Sequence, residues 1–137
     1  MKNKFTLNIL IVFFCSVLTV HSPSDEFIFN SSEINISKNG QIIEADKGTV
    51  EANNGEISIK ANKFYYDKMK LILEASGDVE IDDLVNQILI KSQYISYNNK
   101  NKTILSNKNS IIEDDIGNIF LLENFIYTLD DKLIKLG

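Results

Sequence analysis

One spacing recurs four times along this 137-residue chain and constrains its fold more than any other feature. Ile57-x-Ile59-x-Ala61-x-x-Phe64-x-Tyr66 is followed by Leu73-x-Ala75. Thirty-one residues later stands Ile88-x-Ile90-x-Ser92-x-x-Ile95-x-Tyr97, followed by Ile104-x-Ser106. Thirty residues before the first comes Phe27-x-Phe29-x-Ser31-x-x-Ile34-x-Ile36, followed by Ile43-x-Ala45. Thirty after the second comes Asn118-x-Phe120-x-Leu122-x-x-Phe125-x-Tyr127, followed by Ile134-x-Leu136. A fixed period of this size marks units that bury their apolar faces only by stacking on their neighbours.

The units read as strands. Apolar and polar residues alternate through Glu56–Ala61, Glu74–Asp82 and Gln87–Ser92, the pattern of half-buried β-structure, and Ile, Tyr and Phe fill the inward positions. The three-residue step from Ala61 to Phe64 switches the inward face from odd to even numbers, which needs a bulge or corner. The same step recurs at Ser31–Ile34, Ser92–Ile95 and Leu122–Phe125. Turn signals separate the strands, the Asn-Gly pairs Asn39-Gly40 and Asn54-Gly55 being the strongest, since both residues tolerate positive φ. Each repeat is therefore expected to run strand, corner, strand, turn, strand. Stacked repeats make an all-β object with two sheets facing across an apolar slot. In the third copy Asn107–Ser110 replaces the segment matching Ala75-x-Gly77, so one rung is expected to be irregular. The fourth copy stops before positions matching Val79 and Ile81, as a piece of a longer protein would, or a chain that leaves an edge strand open.

Residues 1–24 stand apart. Lys2 and Lys4 precede an almost wholly apolar run from Phe5 to Val20, and Ser22, Pro23 and Ser24 follow, the layout of a signal-peptide helix cleaved near Ser22–Asp25. The apolar run is shorter than the ~20 residues that span a bilayer. Cys15 follows Phe13-Phe14, where lipidation would want small residues, so a lipoprotein reading is set aside. The remaining residues 25–137 read as one domain.

Removing that segment removes the only Cys, His and Pro, and the chain has no Arg. Disulfides, His or Cys metal ligands and most acid–base or nucleophile schemes lose their usual members. No cofactor, metal or catalytic site is expected. Export without disulfides suits a bacterial periplasm. Losing Lys2 and Lys4 takes two positive charges from a net −5, leaving −7, and such a chain is not expected to bind nucleic acid. The acidic doublets Asp82-Asp83, Asp114-Asp115 and Asp130-Asp131 are each isolated, without the several oxygen ligands at set offsets that a calcium loop needs, and read as solvated turns. Glu56, Glu74, Glu80 and Asp82 fall on the outward phase, so no pair of carboxylates faces across a cleft as glycoside hydrolysis requires. Tyr66 and Tyr97 read as repeat-equivalent core residues, whereas Tyr65 and Tyr94 fall on the outward phase.

What remains is the inward row: Ile57, Ile59, Phe64, Tyr66, Leu73, Val79, Ile81, Ile88, Ile90, Ile95, Tyr97, Ile104, Ile112, Phe120, Leu122, Phe125 and Tyr127. A dry core accounts for these residues, because burying each large side chain contributes roughly 1.5–3 kcal/mol. A slot that opens along one seam and takes an acyl chain accounts for them as well.

Several stretches resemble a known family. After the signal-like segment come F-I-F-x-x-x-x-I-x-I-x-x-N-G (Phe27–Gly40), I-x-I-x-A-x-x-F-x-Y (Ile57–Tyr66) and L-x-A-x-G-x-V-x-I-x-D (Leu73–Asp83). In order and period they resemble the OstA-like (LptA/LptD amino-terminal) periplasmic domain of lipopolysaccharide transport. The resemblance covers nearly all of residues 25–137 and implies an open β-jellyroll whose apolar interior shields lipid A acyl chains. It also implies edge-strand pairing with other OstA-like domains in a bridge to the outer membrane, and a periplasmic, outer-membrane-associated location. The row above would then bind lipid. The alternative is a structural β-repeat module of surface or adhesion type with a dry core.

Overall fold

The computed structural model describes residues 27–137; the signal-peptide reading of residues 1–24 lies outside the described residues. Ten strands follow in order: β1 (Ile28–Ser37), β2 (Ile42–Ala52), β3 (Ile57–Asp67), β4 (Ile72–Asp83), β5 (Ile88–Asn98), β6 (Thr103–Ser106), β7 (Ser110–Glu113), β8 (Ile119–Leu122), β9 (Phe125–Thr128) and β10 (Leu133–Leu136). They form one antiparallel sheet, ordered β1-β2-β3-β4-β5-β6-β9-β10, from which β7 branches off β5 and carries β8. The sheet is open, and the described residues contain no α-helix.

The two facing layers foreseen from the repeat are halves of this single sheet. Each long strand bends at its middle, where the inward face changes parity: in β3 the buried positions are Ile57, Ile59 and Ala61, then Phe64 and Tyr66. The register slips at the bend, between Lys60 and Lys63 and again between Ser76 and Val79. Glycine serves this corner. A Cβ on Gly48 would lie 2.2 Å from the Asn30 carbonyl oxygen, so β1 and β2 approach there only because position 48 has no side chain. Gly77, at φ 76°, lets β4 take a left-handed step that a side chain would strain.

The turns repeat as well. Asp67, Asp83, Asn98 and Asp114 each start a turn, the side-chain oxygen accepting a hydrogen bond from the backbone N–H two residues on (Met69, Val85, Lys100 and Ile116, 3.0–3.1 Å). These side-chain contacts mimic a backbone turn and fix the hairpin register.

The third rung is irregular, as the altered segment predicts. Its returning strand is broken into β6 and β7 by Asn107–Asn109. Hydroxyls replace the glycine corner: Ser110 Oγ donates to Ser92 Oγ (2.9 Å), Ser92 and Ser106 Oγ lie 3.1 Å apart, and Ser106 Oγ donates to the Tyr94 carbonyl (2.7 Å). These buried hydroxyls are satisfied by one another and by backbone, the condition for tolerating them at a core corner. Beyond β5 the two layers are separate strands, β6, β9 and β10 on one side and β7 and β8 on the other.

Candidate functional site

The bend divides every rung into two walls. One wall carries Phe64, Tyr66, Leu73, Ile95, Tyr97, Ile104, Phe125 and Tyr127; the other carries Ile57, Ile59, Val79, Ile81, Ile88 and Ile90. All of these predicted residues are buried and belong to one continuous apolar cluster, with Leu122 partly buried against it. Side chains of the two walls meet across the interior: the Phe27 ring packs edge-on against Tyr66 (4.7 Å between centroids) and Tyr97 (5.5 Å), and Phe29 against Phe64 (6.3 Å). Among the described residues, Asp83 is the one charged side chain in the buried set.

The walls are staggered. Phe27 and Phe29 of the first copy meet rings of the second and third copies, and Asp83, at the end of the second, meets Tyr127 of the fourth. The right-handed twist of a sheet produces such an offset once the sheet folds over on itself. It leaves one half-rung unopposed at each end. Ile34 and Ile36 on β1 are 45% and 60% exposed although their spacing marks them as inward. Phe120 on β8 is 46% exposed, which corrects its place in the inward row: it pairs in register with the buried Ile112, but no wall stands opposite it.

Sequence reasoning missed two kinds of residue. Val50 and Ala52 are core positions of β2, hidden by the polar run Asp46–Thr49; their offset of twenty-nine from Val79 and Ile81 is the signal that marks them. The larger miss is Asp83. Its doublet reads as a solvated turn, yet its side chain is buried, only 1% of the residue being exposed. One carboxylate oxygen accepts from the backbone N–H of Val85 (3.1 Å) and Asn86 (2.8 Å). The other accepts from the Tyr127 hydroxyl (2.7 Å) and the Asn86 side-chain amide (2.9 Å), which also donates to the Leu129 carbonyl (3.1 Å). Turn and opposite wall are thereby tied together at the edge of the core.

Two tyrosines carry altered acidity. Burial, followed by the Asp83 carboxylate, pushes the Tyr127 phenol well above its ordinary range. Burial and the Glu74 carboxylate, 2.8 Å away, push Tyr94 up to about 12. A phenol whose folded-state pKa is raised contributes stability that is complete below its unfolded value and lost as pH rises through the folded one. Alkaline unfolding is therefore expected to set in above about pH 10, and Tyr127→Phe combined with Tyr94→Phe to flatten the loss. A melting temperature that falls equally steeply in the double variant between pH 10 and 12 would contradict this assignment.

Along the turns that end the Tyr66–Tyr97–Tyr127 wall lies a surface cleft. A cleft of about 540 Å³ is floored by Phe27, Ile43, Tyr66 and Leu71 and edged by Lys68, Asn99 and Lys100.

No protein-family model and no curated protein matches the sequence. Among solved structures, the crystal structure of LptH is similar. LptH is the LptA-homologous periplasmic component of the conserved lipopolysaccharide transport device of Pseudomonas aeruginosa. The match has a TM-score of 0.67 at 15% identity, over 84% of this chain and 86% of that one. The chain has the LptA fold. The stretches Phe27–Gly40, Ile57–Tyr66 and Leu73–Asp83 fall on β1, β3 and β4 of this fold.

Proposed function

We propose that this protein is a periplasmic carrier domain in lipopolysaccharide transport, exported by residues 1–24. In this reading residues 25–137 form the OstA-like domain, and its trough shields acyl chains on their way to the outer membrane. The observation that carries the reading is the unbroken apolar row between two walls, running from Phe27 to Leu129, in a chain with the LptA fold. Carriage of this kind needs no chemistry. Acyl methylenes exchange water for Ile, Phe and Tyr side chains at about 0.8 kcal/mol per CH₂, while the sugar and phosphate head remains in water. The energy for directed movement comes from elsewhere. The walls part most readily beyond β5, where they are separate strands joined by Asn107–Asn109 and Glu123–Asn124.

The unopposed half-rungs give the domain partners. Ile34 and Ile36 on β1 and Phe120 on β8 are apolar steps on edge strands, each lacking the wall that the other end of a second OstA-like domain supplies. Head-to-tail stacking continues both the sheet and the trough.

The tight packing of the interior also fits a structural module with a dry core, and ligand binding separates the two. Delipidated protein is expected to take up a fluorescent fatty-acid probe and to release it to lipid A. Protein that neither binds the probe nor loses it to lipid A is the dry module.

A further inference from the structure

The two rims of the trough differ in charge. The turns that end the Tyr66–Tyr97–Tyr127 wall carry Lys38, Lys68, Lys70, Lys100, Lys102 and Lys132, against two acids, Asp130 and Asp131, both in the last of these turns. The turns that end the other wall, 53–56, 83–87 and 114–118, contain no lysine and carry Glu56, Asp83, Asp114 and Asp115. In a chain of net charge −5 this is a strong local segregation. Some of the basic rim is engaged within the protein: Lys70 pairs with Asp67 at 3.4 Å, Lys132 with Asp115 at 3.8 Å, and Lys102 donates to Asn99 at 3.1 Å. Lys68 and Lys100 are exposed, and both edge the 540 Å³ cleft.

Their placement is fixed by backbone. The Lys68 N–H donates to the Gln41 carbonyl and the Asn99 N–H to the Leu71 carbonyl, each at 2.9 Å, which lashes successive turns side by side. Repeat-equivalent turns stand two strands apart, roughly 10 Å. Below the two ammonium groups lie Phe27, Ile43 and Tyr66, members of the same apolar cluster that fills the trough. A ligand suited to this cleft has an apolar tail for its floor and an anion for its rim. The overall negative charge works against an extended anionic surface, whereas two lysines at one mouth select a single headgroup.

We propose that Lys68 and Lys100 hold the phosphate of an anionic amphiphile whose chain enters the trough through this cleft. The inference rests on the carrier reading above and adds the point of entry and the group recognised there.

The test uses the full chain and two dispersed fluorescent probes with the same acyl chains: phosphatidic acid and, without the phosphate, diacylglycerol. Wild-type protein is expected to bind the phosphate probe about tenfold more tightly, the sum of two modest ion pairs. Lys68→Ala with Lys100→Ala is expected to abolish that preference and leave diacylglycerol binding unchanged, while Lys60→Ala with Lys63→Ala, at the bend, preserves it. Equal binding of both probes by the wild type overturns the proposal but not the carrier reading, and so does a preference that survives loss of both rim lysines. Inorganic phosphate competing as strongly as the phosphate probe, or binding to phosphatidylglycerol vesicles without binding of dispersed lipid, also overturns it. Failure to bind either probe removes the carrier reading and this inference together.

Discussion

Replacing Asp83 with Ala is expected to cost about 3 kcal/mol and to lower the melting temperature by roughly 10–20 °C. The carboxylate is the shared acceptor for two backbone N–H groups, the Asn86 amide and the Tyr127 hydroxyl. Ala removes the acceptor that these groups share and leaves the buried Tyr127 hydroxyl without it, and an unsatisfied buried donor carries its full desolvation penalty. Tyr127→Phe removes a single donor and leaves the carboxylate with three others, so about 1 kcal/mol is expected. Asp83→Asn keeps one acceptor oxygen and should fall between. Thermal unfolding at neutral pH measures all three. A shift of less than about 2 °C for Asp83→Ala would show that the tie between turn and wall bears no weight.

The second large effect separates positions that the repeat makes equivalent. Ile34 and Ile95 occupy the same place in the first and third copies. Ile95 is fully buried where both walls are present, and Ile34 is 45% exposed where one is missing. Ile95→Ala is expected to cost about 2–5 kcal/mol, the loss of transferred surface plus a cavity. Ile34→Ala should stay within about 0.5 kcal/mol. Urea unfolding of the two variants gives both values, and equal costs would mean that the walls are not staggered. Under the stacking proposal the same stagger makes Ile34 and Ile36 an association surface. Ile34→Asp with Ile36→Asp should leave the fold intact and abolish concentration-dependent growth in mass measured by light scattering. A wild-type chain that stays monomeric at high concentration would remove the stacking proposal.

The repeat made the fold legible because its inward positions are dictated by burial. Strand period, corner and turn each leave a residue-level mark, and the corner in particular shows as the step from Ala61 to Phe64, which the structure realises as a slipped register. The broken third rung was legible for the same reason, since Asn107–Ser110 cannot supply the glycine corner. Two things were not legible. The offset between walls comes from cumulative twist, a property of the whole sheet, so nothing at Phe120 or Ile36 distinguishes it from its buried equivalents. The burial of Asp83 depends on Tyr127, forty-four residues away, which comes opposite it only after the sheet folds over. An acidic doublet before an apolar pair reads locally as a turn. It is one, and the additional role is tertiary. The basic rim was hidden similarly: a net charge of −5 gives no sign that six lysines stand in the turns ending one wall.

Photo-crosslinking tests the central claim most directly. A photoreactive residue at Phe64 or Tyr97, both buried on one wall, is expected to yield lipopolysaccharide adducts in cells, and the same residue at the outward-phase Ser58 to yield few or none. Adducts from Ser58 with none from Phe64 or Tyr97 would place the lipid outside the trough and contradict the account.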